Sequence, residues 1–380
     1  MLHATTFQVG ALTAVEFSPF VLFGLPAGAI VDRLPRRPVL MTADIGRALA
    51  LASVPIAYGF ASLTYAQLVV VVFVTGSLTV FFDVAYQSIL PALVEREDLA
   101  DGNAKLEISR SAAQTAGPGV AGVLIEVIGA ATAITIDAIS FVVSALFIRT
   151  IRAKEPPVEP VDEANRGLRG LGREIREGLH YVLGHRTLRL IAGSTATSNF
   201  FSSMSMAVFL LYAVRERGYG AGVVGVIFTV GNLGALIAAV FTQRLTRAIR
   251  LGPAIVLGML VAQLGMLTLG LAPETHAAAY FVVAWVVFGF GGVLYNIDQV
   301  SLRQAITPHR LQGRMNASMR FMVWGTMPFG SLAGGVLGTA LGLRPTLLVA
   351  GIGGLTAVFW LLGRPVRGLV EIPAGTEAPA

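Results

Sequence analysis

Several ionisable side chains of this chain stand inside long apolar runs, where a charge needs a reason. Glu16 lies about midway along the run 8–31. A carboxylate at such depth is costly, so it must be protonated, paired or facing water. Such a group can exchange a proton or bind a cation; the plainer alternative is a polar residue at a helix contact. Asp83, with Gln87 one turn on, is a second carboxylate of this kind or a partner for Arg47. Asp44 and Arg47 are three residues apart, so they share a helix face and can pair, near the cytoplasmic end of their run. Asp137 sits close to the outer end of its run and reads as ordering that end. Asn296 and Asp298 are two apart and do not share a face; Asp298 reads as a structural partner of Arg320 across two helices. Glu16 and Asp83 are therefore the candidates for proton coupling, and Asp44, Arg47, Asp137, Asp298 and Arg320 the structural charges.

Other chemistries find little support. The five histidines (His3, His180, His185, His276, His309) are scattered without metal-ligand spacing, and there is no cysteine. No G-x-x-x-x-G-K-[ST] loop exists for a nucleotide phosphate. No Ser-His-Asp or paired-carboxylate set stands out for hydrolysis. The reading is a protein that is not an enzyme and needs no metal or cofactor. Phe200, Phe201, Phe288, Phe290, Tyr295 and Trp324 could line an apolar pocket, although most membrane aromatics pack helices or face lipid.

The elements that must hold these residues are membrane helices. The chain is 54% hydrophobic and 13% charged, with a mean hydropathy of +0.72. A soluble domain carries roughly 25% charged residues. A 380-residue soluble protein could not hide so much apolar surface, so its solvent is a lipid bilayer. Apolar runs fall at about 8–31, 39–59, 67–91, 106–128 and 132–150. A polar stretch, 151–187, follows, with Leu168, Leu171, Ile175, Leu179 and Val182 at helical spacing. It reads as a cytoplasmic linker whose amphipathic helix lies on the leaflet or in solvent. Six more runs follow, at about 188–213, 222–242, 253–272, 279–302, 315–340 and 345–363, and then a polar tail, 364–380, that reads as disordered. The fold class is thus all-α integral membrane, with an N-terminal bundle of five spans (1–150) and a C-terminal bundle of six (188–363).

Charge sets the orientation. With 32–38 inside, 23 of the 28 Lys and Arg fall on inside segments and 3 on outside ones. That bias explains the net charge of +6 without nucleic acid, and places the first residue outside and the last inside.

The loop 28–38, Gly-Ala-Ile-Val-Asp-Arg-Leu-Pro-Arg-Arg-Pro, follows the pattern G-x-x-x-D-R-x-x-R-R between two apolar helices. It resembles the signature loop of the major facilitator superfamily. Phe82-Asp83, Asp137-Ala138-Ile139-Ser140-Phe141 and the late Gly313-Arg314, Trp324-Gly325 and Pro328-Phe329-Gly330 add to the likeness, which is nearest to the bacterial exporter branch of siderophore, macrolide and drug efflux. The resemblance implies that Gly28, Asp32, Arg33, Arg36 and Arg37 form a cytoplasmic latch. Gly117-Pro118-x-x-x-Gly122 resembles the family's antiporter motif, with Ala121 in place of one expected glycine.

The halves also repeat at an offset of about 210–213: Asn103-Ala104 parallels Asn316-Ala317, and Gly117-Pro118 with Gly122 parallels Met327-Pro328 with Gly334-Gly335. Such a repeat suits a transporter of two pseudo-symmetric bundles. The family has twelve helices, and the first has no counterpart here; a mis-set start or a fragment is favoured over a natural truncation. The expected function is alternating-access, proton-coupled efflux of a small, largely apolar molecule by a monomer in the bacterial plasma membrane. The alternatives are metabolite uptake by the same fold, or a truncated, non-transporting membrane protein.

Overall fold

The computed structural model describes residues 4–31, 34–93, 99–151, 168–308 and 311–371. Among them there is no strand. Most of the long helices begin two or three residues before the apolar runs do, and α4 seven before, because a bilayer-spanning helix carries its last polar turn into the headgroup region. They are α1 (Thr6–Val31), α2 (Arg36–Gly59), α3 (Tyr65–Leu93), α4 (Leu99–Ile128) and α5 (Ala130–Thr150). The linker supplies α6 (Leu168–Gly184). Then come α7 (Arg186–Leu211), α8 (Ala221–Gly231), α9 (Leu233–Ile249), α10 (Leu251–Leu271), α11 (Ala277–Ala305), α12 (Gln312–Trp324), α13 (Met327–Leu341), α14 (Leu343–Leu361) and the short α15 (Arg364–Arg367).

Nine helical stretches among the described residues are long and apolar enough to cross a membrane, with α8 and α9 together forming one. The run at 106–128 sits in α4, whose first turns carry Asp101, Lys105 and Glu107. The run at 315–340 is not one helix. It breaks at Gly325 and Thr326 and restarts with Pro328 in the first turn of α13, where a missing N–H costs nothing. Its counterpart in the repeat, Pro118, stays inside the continuous α4.

Contacts group the chain into two compact units. One holds residues 15–173, the other 174–380 together with 5–14. In the first unit, α2 lies against α3 and α5. In the second, α10 lies against α11 and α14, and α7 against α13 and α14. The core of the second unit has two centres. One gathers Leu188, Ile191, Ile255, Met259, Leu302 and Met315. The other is aromatic, with Phe209 edge-on to Phe228, Phe281 and Trp285. Small residues let backbones close up: a methyl at Gly330 of α13 would overlap the Phe200 carbonyl oxygen and lie 2.8 Å from its carbon.

Individual helices differ in depth of burial. The 19-residue α14 buries nine residues, from Leu343 to Leu361. The 21-residue α5 buries Ala138 and Ala145 alone.

The linker helix has a protein seat, which neither sequence reading of it foresaw. Tyr181 donates its hydroxyl to the Ile306 carbonyl at 3.1 Å, and Glu177 pairs with Arg314 of α12 at 2.5 Å. Gly178 faces the Arg314 carbonyl so closely that a methyl would clash. Val182 is fully buried.

Candidate functional site

The most elaborate charged arrangement inside a span is centred on Arg47. It stands eleven residues past the start of α2, or about 16 Å along a helix about 36 Å long. The residue is thus near the middle of its helix. Helical spacing puts Asp44 on the same face, and the two side chains form an ion pair with 7% and 1% exposure. The guanidinium carbon lies over two rings, Phe82 of α3 and Phe141 of α5, each centroid 4.3 Å from Cζ. Cation–π attraction is strongest where water is excluded, as here. A further donor, Nη1, reaches the Thr79 hydroxyl at 3.4 Å.

Two more carboxylates act on this cation electrostatically: Asp83, next to Phe82, and Asp137, one turn before Phe141. Asp83 is half-buried and Asp137 exposed. Asp137 lies seven residues into α5, about 10 Å from its start. The structure therefore brings together Asp44, Arg47, Asp83 and Asp137, which lie on three helices. Within this cluster Arg47 Nε and Asp44 Oδ2 are buried without a hydrogen-bond partner among the described residues. Glu16 of α1 is placed elsewhere: it is exposed on its helix, with its backbone carbonyl near Gly76 of α3.

In the second unit Asp298 is 5% exposed, and Thr246 of α9 donates to both its carboxylate oxygens at 3.1 and 2.9 Å. It is this hydroxyl, not Arg320, that meets it. Arg320 instead lies 5.0 Å over the Trp324 ring, four residues on along the same helix, and is exposed. Two polar contacts there had no sequence signal: Gln263 donating to Ser198 at 2.6 Å, and Thr195 against Tyr295 at 2.6 Å. Tyr295 is thereby a core residue, and Phe288 joins the Trp285 stack. Phe200 and Phe201 meet edge to face.

Of the latch motif, Asp32 and Arg33 lie outside the described residues. Arg37 donates from Nε to the Ile148 carbonyl at 3.1 Å, and also to the Arg149 carbonyl. These carbonyls lie in the last turn of α5, where the Ile148 oxygen also accepts from the Ile151 N–H, and a cation suits that end of the dipole. Arg36 is half-buried at the first residue of α2. Gly28 on α1 and Gly117 on α4 both have open space where a Cβ would stand, whereas Gly122 is buried. Pro118 lies inside α4.

The chain, with its apolar helices and the buried Asp44–Arg47 pair, matches the family model of the Major Facilitator Superfamily over residues 1–328 and 191–380. The chain belongs to that superfamily. It is similar to the multidrug efflux pump Tap of Mycolicibacterium fortuitum, 28% identical over 90% of this chain and 84% of that protein. It is also similar to the enterobactin exporter EntS of Escherichia coli, 24% identical over 83% of this chain and 73% of that one. Among solved structures, a bacterial homologue of the iron transporter ferroportin superposes with a TM-score of 0.72 at 17% identity, covering 94% of this chain and 90% of that chain. That likeness concerns the fold. The protein is a multi-pass transporter of the bacterial cell membrane.

Proposed function

We propose that this superfamily member exports a small, largely apolar molecule of the drug, macrolide or siderophore class in exchange for protons. The observation that carries the direction is its similarity, along most of the chain, to one protein named as an efflux pump and another named as an exporter. The partial antiporter-like motif Gly117-Pro118-x-x-x-Gly122 supports the same reading. In α4, Pro118 removes one helix hydrogen bond, which gives a span a place to bend. Transport proceeds by alternating access, the bound molecule facing one side of the membrane and then the other. The protein acts as a monomer in the bilayer. Glu16 and Asp83 are the coupling carboxylates, and Gly28, Asp32, Arg33, Arg36 and Arg37 the latch at the cytoplasmic side.

Glu16 fits such a role because a carboxyl group on the surface of a mid-membrane helix is stable only when protonated or wet. The test is dye extrusion from cells that express the protein, with and without a protonophore. Wild-type cells should lose an accumulated lipophilic dye faster than vector cells, and the protonophore should abolish the difference. Glu16→Gln should remove proton-driven extrusion. Intact extrusion in that variant rules Glu16 out as the coupler, and dye uptake rather than loss rules out export.

A further inference from the structure

Three elements of the second unit meet at one corner. The first turn of α7 carries Arg186 and Arg189, the joint between α9 and α10 is Arg250, and the short α15 carries Arg364 and Arg367. Backbone ties them together: the Leu251 N–H donates to the Val370 carbonyl at 3.1 Å, and the Gly252 N–H to the Leu369 carbonyl at 2.9 Å. Leu188, Leu251 and Val366, one from each element, are buried in the same core cluster. All five arginines are exposed. Both α7 and α10 belong to stretches long enough to span a bilayer and both begin here, so the corner lies at headgroup depth.

The corner is short of negative charge. None of the five arginines is in an ion pair among the described residues; Arg189 donates to the Leu183 carbonyl at 3.0 Å. Of the described acidic side chains of this unit, Glu177 pairs with Arg314 and Asp298 is held by Thr246. Glu216 and Glu274 stand past the opposite ends of α7 and α10. Glu371, next to Val370, sets one negative charge against five positive.

The backbone at Arg250 is an independent observation. Its φ of 73° and ψ of 157° form a conformation that residues with side chains rarely adopt. Two other one-residue joints between helices, α4 to α5 and α13 to α14, have nearly the same angles, and both use glycine: Gly129 at 81° and 156°, and Gly342 at 92° and 166°. An arginine kept where glycine is easier implies that its side chain is used.

We propose that this corner binds the headgroup of an anionic phospholipid, with Arg186, Arg189, Arg250, Arg364 and Arg367 as the donors to its phosphate. Guanidinium forks match phosphate oxygens in pairs. Basic pockets between helix ends at the membrane surface suit such headgroups, and the positive ends of α7 and α10 add to the attraction. The occupant is a lipid because apolar surface adjoins the charges: Phe359 and Leu362, at the end of α14 that leads into α15, are 69% and 43% exposed and offer a seat for acyl chains. The proposal holds whether or not the chain exports anything.

The test uses the whole protein in neutral detergent. Thermal unfolding is followed with added cardiolipin, phosphatidylglycerol, phosphatidylcholine or inorganic phosphate, and native mass spectrometry counts the lipids bound. The two anionic lipids should raise the wild-type melting temperature by about 5 °C, where phosphatidylcholine and phosphate do not. The triple variant Arg186→Gln, Arg364→Gln, Arg367→Gln should lose that rise and the bound lipid. The matched triple variant Arg110→Gln, Arg149→Gln, Arg176→Gln takes the same charge from exposed positions on α4, α5 and α6 and should keep both. Arg250→Gly should melt at or above wild type without lipid, because its backbone is relaxed, and yet gain less from anionic lipid. A matched variant that loses as much as the corner variant overturns the proposal, since the effect is then one of general surface charge. An equal rise with phosphatidylcholine overturns it too, and so does a rise with phosphate alone, which assigns the corner to a soluble anion. An Arg250→Gly protein that gains as much as wild type also counts against it, because the strained arginine then has no use there.

Discussion

Arg47→Met should cost the first unit about 3–5 kcal/mol. The size follows from what the substitution leaves behind. Methionine keeps most of the packing between the rings of Phe82 and Phe141 and loses the cation–π attraction, worth about 0.5–2 kcal/mol per ring when dry. The larger loss is Asp44. Its side chain is 1% exposed, and it is ion-paired with the guanidinium that would be gone. Breaking a buried pair by removing one member costs about 3–5 kcal/mol, because the other charge remains buried and uncompensated. The second substitution tests that logic. Asp44→Asn with Arg47→Met removes both charges and should recover at least ~2 kcal/mol, giving a coupling energy of that order in a double-mutant cycle. The assay is thermal unfolding of purified protein in detergent, followed by the loss of the monodisperse chromatographic peak. The single variant should melt on the order of 10 °C below wild type, and the double should lie between. If Arg47→Met melts with wild type, or the double variant is no better than the single, the pair does not anchor the unit as argued.

Other expectations can be measured on the same preparation. Gly330→Ala should destabilise by about 1–3 kcal/mol, since a methyl there overlaps the Phe200 carbonyl across the α7–α13 contact. Gly117→Ala, placed in open space within a helix, should instead gain about 0.5–1 kcal/mol. His185 accepts from the Leu188 N–H through Nδ1 at 3.4 Å and so caps α7, which requires a neutral ring. Burial holds this imidazole below its ordinary range, so the folded state resists protonation that the unfolded state accepts from about pH 6.5 downward. Stability from the cap is therefore present above that pH and declines as pH falls toward the lower, folded value. His185→Ala should lose about 0.5–1 kcal/mol at pH 8, with the gap to wild type closing in acid; a gap that is constant with pH rejects the cap.

Helix positions and the basic loops could be read from the chain because both are local. Lipid demands unbroken apolar runs, and the Arg excess in loops such as 32–38 needs no tertiary information. The Asp44–Arg47 spacing is local too, and the side chains do meet. What closes around them is not local. Phe82 lies 35 residues and Phe141 94 residues beyond Arg47 in sequence, and most of the other long helices offer aromatic residues too. The choice of Thr246 by Asp298 failed for a related reason. A hydroxyl on another helix carries no charge to draw the eye, whereas Arg320 did. The break between α12 and α13 was written in Gly325-Thr326-Met327-Pro328, but an apolar run that contains its own breaker still looks continuous to a hydropathy count. Arg37 shows one residue with two tasks: it contributes to the inside charge excess and also closes the end of α5, 111 residues away.

The contrast between α5, which buries two residues, and α14, which buries nine, has a practical side. A helix with so few fully buried residues leaves much of its surface to acyl chains, so lipid bound there would stabilise the first unit by mass action. The chain is then a soft half and a hard half joined in one molecule. Delipidation should melt them in sequence, the half that carries Arg47 first, and the choice of detergent will decide how much of the charge cluster survives purification.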